Sequence, residues 1–269
     1  MPSAAPRPTV ADVAEAPFLE IDGIAKRHGG QPALDGVSLS VSTRSFVALV
    51  GPSGSGKTTL LKTINRLSEP DDGAVRLSGR DVREAPLAEL RRGVGYVFQG
   101  IGLFPHLDVA ANIALPLRLG GVPLRERAAR VAELLDLVAL PRDFDGRRPA
   151  ALSGGQAQRV GLARALAAAP PLMLMDEPFG ALDPVTRDEL GRAYRALHDR
   201  LGLTTIMVTH DMTEALLLAD RIVVLIGGRI RADAAPAALM RGHADAAVEE
   251  LLAVPRRQAE RLATLARGA

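Results

Sequence analysis

The chemistry available to this sequence is indicated first by residues 51–58, which match the spacing G-x-x-x-x-G-K-[ST]. A β-type run at 46–50 precedes the match and a helical pattern at 58–67 follows it, which is the context that the motif requires. Glycines let backbone N–H groups converge on phosphate oxygens, and the start of a helix adds a favourable dipole. We therefore expect Lys57 to neutralise the β- and γ-phosphates of a nucleotide and the Thr58 hydroxyl to bind Mg²⁺. The residues of this phosphate loop are Gly51, Pro52, Ser53, Gly54, Ser55, Gly56, Lys57, Thr58 and Thr59.

Two adjacent acids, Asp176 and Glu177, follow an apolar run at 172–175. We expect Asp176 to bind Mg²⁺ from the tip of a buried strand that lies beside the strand of the phosphate loop. Glu177 comes one residue later and so faces another direction, from which it could polarise an attacking water. Without the phosphate loop, the same pair would be explained equally well as an ordinary strand end.

Two polar helix starts admit both a structural and a functional interpretation. Ser153 and Gln156 enclose Gly154 and Gly155 in the pattern S-x-x-Q, a capping box that needs no ligand. The two glycines also expose N–H groups to an anion, and both interpretations can hold together. Asp183 precedes a proline and is a good N-cap, and it is equally open to a role at a contact between subunits.

His210 follows a strand pattern that ends at Thr209 and precedes a helix start at Asp211. A lone histidine at a strand end is more often structural. The carboxyl edge of a series of parallel strands is, however, where ligands collect. In the presence of the other motifs we favour a functional role for His210.

These residues need a scaffold, and the alternation of short strands with helical patterns predicts a largely parallel sheet covered by helices. Between residues 98 and 172 the pattern is mostly helical, with interruptions at Pro116 and Pro123, so we expect a separate helical lobe there. The predicted strands lie at 18–22, 37–41, 46–50, 74–77, 94–98, 172–175, 204–208 and 222–226.

Composition excludes several classes of protein. The chain has 269 residues, a net charge of +2 and no cysteine, which fits a reducing compartment and excludes disulfide and thiolate zinc sites. Only 3% of the residues are aromatic and the arginines are scattered, so we expect no nucleic-acid partner. No apolar stretch reaches the ~18 residues of a membrane span. Residues 1–17 are rich in proline without an apolar core, so we expect a disordered leader.

Taken together, the motifs resemble those of the ATP-binding cassette (ABC) transporter ATPases over roughly residues 18–240. A lone phosphate loop would also suit kinases or GTPases, whereas a signature followed by Gln158 and Arg159 does not. In chain order the matches are Walker A at 51–58, the Q-loop at Gln99, the ABC signature at 152–156, Walker B at 172–177, the D-loop at 181–183 and the switch histidine at His210.

The resemblance implies an α/β fold: a P-loop NTPase of the ABC type. Its parts would be a RecA-like mixed-sheet core, an antiparallel β subdomain and a helical signature subdomain at about 100–165. The ATP-binding domain is expected to span 18–240, and residues 241–269 to form a helical tail without a regulatory domain.

The resemblance also implies a head-to-tail homodimer that holds two ATP molecules with Mg²⁺, each between Lys57 of one subunit and Ser153 of the other. Glu177 would act as general base, while His210 and Gln99 would sense the γ-phosphate. The expected Mg²⁺ ligands are Thr58, Gln99 and Asp176, and the expected contacts across the dimer are Ser153, Gly154, Gly155, Gln156 and Asp183.

The implied partner is an integral membrane permease whose coupling helix enters a groove formed in part by residues 100–107, next to the Q-loop. Local packing at a turn is the alternative explanation of residues 103–105. A solute-binding protein would act indirectly through that permease. The expected location is the cytoplasmic side of the inner membrane, as a peripheral subunit.

Further segments look like the importers of osmoprotectants and quaternary amines such as glycine betaine, choline, carnitine and proline. They lie at 62–67, 101–106, 112–113, 175–184 and 248–262. One residue departs from the pattern: His28 stands where the family usually stacks adenine on an aromatic residue, often tyrosine. We therefore expect weaker nucleotide binding.

Two alternatives remain. The same cassette could serve another solute, such as methionine, taurine, nitrate or another amino acid. A soluble ABC protein of repair, translation or complex assembly would commonly carry two fused cassettes or long coiled arms after the phosphate loop, and the sequence shows neither.

Overall fold

A computed structural model describes residues 16–100, 102–180 and 182–267. The predicted leader at 1–17 lies outside these residues except for its last two. The strands are β1 (Leu19–His28), β2 (Gln31–Val41), β3 (Phe46–Val50), β4 (Asp72–Leu77), β5 (Arg80–Asp81), β6 (Val94–Val97), β7 (Leu172–Asp176), β8 (Thr204–Thr209), β9 (Arg221–Ile226) and β10 (Arg229–Ala234). The α-helices are α1 (Lys57–Ile64), α2 (Leu87–Arg92), α3 (Val109–Leu119), α4 (Leu124–Leu137), α5 (Gly154–Leu166), α6 (Pro184–Leu201), α7 (Met212–Leu218), α8 (Pro236–Arg241) and α9 (Ala246–Arg267).

The central sheet has six strands in the order β10-β9-β3-β8-β7-β6. All neighbours in it are parallel except β10, which runs antiparallel to β9. Every residue of β3, β7 and β8 is buried, because helices or the second sheet cover both faces of these strands. Since parallel strands end at one edge, the phosphate loop and the residues after β7 and β8 share that edge.

One expectation about this sheet is wrong. Asp176 was expected on a strand directly beside the phosphate-loop strand, but β8 lies between β3 and β7. The hydrophobic patterns of β7 and β8 are equally suited to a central position, so they do not encode which strand is the neighbour.

The second sheet is antiparallel, with the order β2-β1-β4-β5. Its first two strands are longer than predicted, because the strand pairing continues past irregularities of register between Ile21 and Arg27. The predicted mixed core with a separate antiparallel sheet is confirmed. Leu49, Leu60 and Val75 belong to one apolar cluster that joins the two sheets through α1.

Helices α3, α4 and α5 occupy the stretch between β6 and β7, where a helical lobe was expected. The interruption predicted at Pro116 is wrong, because α3 continues through this residue to Leu119 and is capped by Gly120. A proline inside a helix removes one hydrogen bond. The burial of Val109, Ile113 and Leu117 on one face of α3 offsets that loss.

The last elements are α8 and α9, which follow β10. Val248 and Leu252 of α9 are fully buried against the domain, whereas Leu262 and Leu265 in its second half are exposed. Within the described part of the chain, no helix is long and apolar enough to cross a bilayer.

Candidate nucleotide site

The phosphate loop turns sharply between the end of β3 and the start of α1, and two of its glycines are required by close contacts. Gly51 has φ +154°, and a Cβ there would lie 2.0 Å from the Leu225 carbonyl oxygen. Gly56 has φ +101°, and a Cβ there would lie 2.3 Å from the Ala33 carbonyl oxygen. No side chain among the described residues caps the start of α1, so the N–H groups of its first turn are available to an anion.

Lys57 folds back into this loop. Its ammonium donates hydrogen bonds to the carbonyl oxygens of Gly51 at 2.7 Å and Pro52 at 2.8 Å, and to Ser55 Oγ at 3.3 Å. Burial lowers the pKa of Lys57, while the carboxylates of Glu177 and Asp176 act in the opposite direction. The lysine charge is therefore held inside the loop by neutral oxygens.

Thr58 and Asp176 meet directly at the carboxyl edge of the sheet. Thr58 Oγ1 donates a hydrogen bond of 2.9 Å to Asp176 Oδ1. Burial raises the pKa of the Asp176 carboxyl, although the Thr58 hydroxyl and the charge of Lys62 oppose this. A hydroxyl and one carboxylate beside a phosphate loop form the kind of oxygen donor set that Mg²⁺ uses together with nucleotide phosphates.

Glu177 stands next to this pair in an unusual backbone conformation. Its φ is +48°, a left-handed value that is uncommon for a residue other than glycine, and its N–H donates to the Val208 carbonyl at 2.9 Å. Gln99 Nε2 donates to Glu177 Oε2 at 3.2 Å, and His210 Nδ1 lies 3.3 Å from Glu177 Oε1. The structure thus brings together three predicted site residues that are far apart in sequence.

His28 lies at the end of β1, beside the phosphate loop. Its Nε2 is 3.4 Å from Thr59 Oγ1, and the residue is exposed. The imidazole is therefore accessible next to the first turn of α1.

The signature residues are arranged as the capping box predicted from the sequence. Ser153 Oγ accepts a hydrogen bond from the Gln156 N–H at 3.3 Å, and Gln156 Oε1 accepts one from the Ser153 N–H at 3.0 Å. Among the described residues, neither side chain bonds to the phosphate loop of the same chain. Gly155 instead lies against Leu182, whose Cδ2 would be 3.3 Å from an added Cβ.

Asp183 is the N-cap of α6, as expected. Its Oδ1 accepts hydrogen bonds from the N–H groups of Val185 at 3.1 Å and Thr186 at 3.0 Å. The start of α6 lies against the start of the signature helix, because a Cβ added at Gly155 would be 3.3 Å from Leu182 Cδ2 and 3.6 Å from Thr186 Cγ2.

A groove of about 710 Å³ opens beside the segment that follows Gln99, bounded by β6, α2, α3 and α5. Its walls include Phe98, Phe104 and Leu119, which are exposed apolar side chains. The buried guanidinium of Arg164 on α5 also lines it and donates from Nη1 to the Gly102 carbonyl at 2.9 Å.

The positioning role of Asn112 was not predicted. This residue of α3 is fully buried, and its Nδ2 donates to the carbonyl oxygens of Phe104 at 3.1 Å, Leu107 at 3.1 Å and Asp108 at 2.9 Å. Its Oδ1 accepts from the Phe104 N–H at 2.8 Å, so one side chain fixes the wall of the groove. An asparagine on the apolar face of a helix is the signal that indicates such a role.

The comparison with protein families gives a direct match. A family model described as ABC transporter matches residues 34–180. The chain belongs to the ABC transporter family.

Individual relatives extend the comparison beyond this segment. The choline transport ATP-binding protein OpuBA of Bacillus subtilis is 47% identical over 236 residues, which is 87% of this chain and 62% of that protein. The sulfate/thiosulfate import ATP-binding protein CysA 2 of Chromobacterium violaceum is 50% identical over 238 residues, or 87% of this chain and 63% of that protein. This ABC chain therefore spans a little over three fifths of the length of these relatives.

Among solved structures, the dimeric post-hydrolysis state of the ATP-binding cassette MJ0796, bound to ADP and Pi, is similar with a TM-score of 0.75. The identity is 34%, and the match covers 81% of this chain and 98% of that chain. The predicted ABC-type fold is confirmed.

Proposed function

We propose that this ABC protein is the ATP-hydrolysing subunit of an importer for a quaternary amine or other osmoprotectant, such as glycine betaine, choline, carnitine or proline. The observation that carries the proposal is the position of Glu177, held by Gln99 and His210 next to the Thr58–Asp176 pair. A carboxylate held beside the phosphate loop by two side chains from other elements is arranged to act on a water molecule at the terminal phosphate.

In this proposal the phosphates of ATP lie in the loop, bound by the N–H groups at the start of α1 and by Lys57. The adenine stacks on His28. Thr58, Asp176 and Gln99 would hold Mg²⁺, which would neutralise negative charge on the nucleotide phosphates.

Glu177 then accepts a proton from the attacking water, and His210 holds the Glu177 carboxylate in orientation. Gln99 donates a hydrogen bond to Glu177 Oε2, the other oxygen of that carboxylate. From this position it senses whether the γ-phosphate is bound. The proton moves from water oxygen to Glu177 as the bond between the water oxygen and phosphorus forms and the β–γ bridge breaks.

The site is incomplete in one chain, which supports a head-to-tail homodimer. Ser153, Gly154, Gly155 and Gln156 begin α5 without reaching the phosphate loop of their own chain. A second copy could therefore bring these N–H and hydroxyl groups to the γ-phosphate. The dimeric form of the MJ0796 cassette supports the same assembly by likeness.

The groove beside Phe104 is suited to receive a coupling helix of a membrane permease, since it is apolar and adjoins the segment after Gln99. Through the permease, the subunit would lie at the cytoplasmic face of the inner membrane. A solute-binding protein would deliver the substrate on the other side.

The substrate class rests on likeness to the choline transport protein. A second candidate is an inorganic oxyanion, because the sulfate/thiosulfate protein is 50% identical over a similar span. ATP hydrolysis in proteoliposomes that contain the subunit, its permease and its solute-binding protein would test the proposal.

Glycine betaine, choline, carnitine, proline, methionine, taurine and sulfate would be added one at a time. We expect stimulation by quaternary amines and none in Glu177→Gln. Stimulation only by sulfate or another solute would be consistent with the proposed ATPase activity but would contradict the proposed substrate class. Hydrolysis that no solute changes would contradict the role in import.

A further inference from the structure

Two loops meet beside Glu177, and both follow strands of the central sheet. The D-loop segment, Leu182–Asp183, precedes α6, and the switch segment, Thr209–Asp211, precedes α7. The Leu182 side chain is buried and packs against Gly155 at the start of the signature helix. The D-loop segment therefore lies between the signature and the catalytic cluster.

Arg187, on the first turns of α6, contacts both segments. Its Nη2 donates a hydrogen bond of 3.0 Å to the Leu182 carbonyl. Its Nη1 lies 3.7 Å from Asp211 Oδ2, in an ion pair whose side chains are each about one-third exposed, 34% and 36%. The same guanidinium thus closes the D-loop onto its helix and joins it to the residue after His210.

The contact of Asp211 is held in place from its own side. Asp211 Oδ1 accepts hydrogen bonds from the N–H groups of Thr213 at 2.8 Å and Glu214 at 3.2 Å, so the carboxylate is fixed at the start of α7. Its remaining oxygen, Oδ2, faces Arg187. Asp211 can therefore cap α7 and pair with Arg187 at the same time.

Arg187 also borders the catalytic cluster. It lines a small cavity of about 20 Å³ together with Glu177, Gly180, His210 and Glu214. Burial raises the pKa of Glu214, while the positive charge of Arg187 acts in the opposite direction. Arg187 Nε is buried with no hydrogen-bond partner among the described residues, so both of its bonded contacts are made by the η nitrogens.

We propose that Arg187 is a positioning residue that couples the switch segment to the D-loop, so that Glu177–His210 geometry and the placement of Leu182–Asp183 change together. The proposal rests on the proposed ATPase function and adds a positioning residue to the same site. The planar guanidinium is needed because it can reach a carbonyl and a carboxylate through two different nitrogens. A lysine ammonium is a point charge on a flexible stem and satisfies one of the two contacts less well.

The first experiment measures ATP hydrolysis by the purified chain of 269 residues. For Arg187→Ala we expect kcat to fall about tenfold, while KM for ATP changes less than about twofold. Arg187→Lys is expected to recover part of kcat because the ion pair with Asp211 survives. The matched control is Arg192→Ala, on the same helix, whose partner is Asp188 and whose side chain is 71% exposed; its kcat should equal that of the wild type.

The second experiment is a double-mutant cycle with Asp211→Asn, because asparagine retains the helix cap but loses the charge. We expect kcat of the double variant Arg187→Ala/Asp211→Asn to lie within about twofold of kcat of Arg187→Ala alone. If the fold-loss in kcat of the double variant equals the product of the fold-losses of the two single variants, the two residues act independently, and the proposal is overturned. A rise in KM with unchanged kcat would do the same, because it would assign Arg187 to nucleotide binding.

Loss of folding is distinguished from loss of coupling by the melting temperature of each variant and by the partial recovery in Arg187→Lys. If Arg187→Ala does not fold, Arg187→Lys carries the test, and a kcat equal to the wild type would contradict the proposal. Absence of hydrolysis by the wild-type chain would contradict the proposed function itself. Wild-type hydrolysis that Arg187→Ala leaves unchanged would contradict only the role of Arg187.

Discussion

Glu177 is contacted by three residues from two other parts of the chain: Gln99 after β6, and Val208 and His210 at the end of β8. Motif spacing predicted which of these residues carry chemistry, because a phosphate loop and a strand-end acid leave recognisable local patterns. Motif spacing did not predict the contacts between them or the bridging position of Arg187. These depend on the order of strands in the sheet, which no local pattern contains.

His28 is the residue at which nucleotide affinity should respond most clearly to substitution. Aromatic stacking contributes about 0.5–1.5 kcal/mol, so we expect His28→Tyr to tighten ATP binding about threefold and His28→Ala to weaken it about threefold. Titration with a fluorescent ATP analogue and competition by ATP would measure both. His106→Ala, at an exposed histidine away from the phosphate loop, is the control. An affinity for ATP that His28→Ala leaves unchanged would contradict the stacking role.

His198 on α6 packs against β3, the strand that leads into the phosphate loop. It is 1% exposed, its Nδ1 lies 2.9 Å from Thr205 Oγ1, and its ring is 5.2 Å from that of Phe46 in β3. Burial lowers the pKa of His198, helped by the charge of Arg195 and opposed by the nearby carboxylates of Asp199 and Asp220.

Because the folded state disfavours protonation of His198, the unfolded state binds more protons as the pH falls below about 6.5. The wild type should therefore lose stability between pH 7.5 and pH 5.5 relative to His198→Gln, which keeps a hydrogen-bonding side chain but does not titrate. We expect the difference in melting temperature to change by about 2–4 °C over this interval. Scanning calorimetry at both pH values, with His106→Gln as control, would show it. An equal difference at both values would refute this origin of the pH dependence.

At the scale of elements, the start of α5 combines a structural cap with a proposed phosphate contact. The capping box was predicted from S-x-x-Q, because this pattern satisfies N–H groups within one helical turn. In contrast, the continuation of α3 through Pro116 was not predicted. It depends on Val109, Ile113 and Leu117 being buried against other elements, which a local rule for proline does not include.

Ser153→Asp separates the two roles of this helix start. Aspartate caps a helix about as well as serine, so the melting temperature should be retained, whereas Ser153→Ala should lose about 1 kcal/mol of stability. A negative charge would repel the γ-phosphate of the partner's nucleotide. Ser153→Asp should therefore abolish ATP-dependent dimerisation in a Glu177→Gln background, as measured by light scattering. An ATP-bound dimer that forms normally in Ser153→Asp would refute the contact with phosphate.

At the scale of the whole molecule, the two sheets and the helical lobe position three surfaces: the phosphate loop, the signature helix and the groove beside Phe104. The fold class was predictable because the alternation of strands and helices and the six motifs agree with one architecture. The neighbour order of β3, β8 and β7 was not, since all three are fully buried and their patterns are interchangeable. Among the described residues, the hydrogen bonds of Ser153 and Gln156 stay within the capping box and do not reach the phosphate loop of the same chain, which is the observation that supports the proposed dimeric site.

The measurement that tests the account most directly is Mg²⁺-dependent ATP hydrolysis by the purified chain and by Glu177→Gln, with the molar mass of each determined with and without ATP. Loss of a general base typically reduces the rate by about 10²–10⁴-fold, so the wild type should hydrolyse ATP and Glu177→Gln should do so at least about 100-fold more slowly. The variant should be a dimer with ATP and a monomer without it. Glu133→Gln, at an exposed glutamate of α4, should behave as the wild type. Rapid hydrolysis by Glu177→Gln, or none by the wild type, would contradict the account.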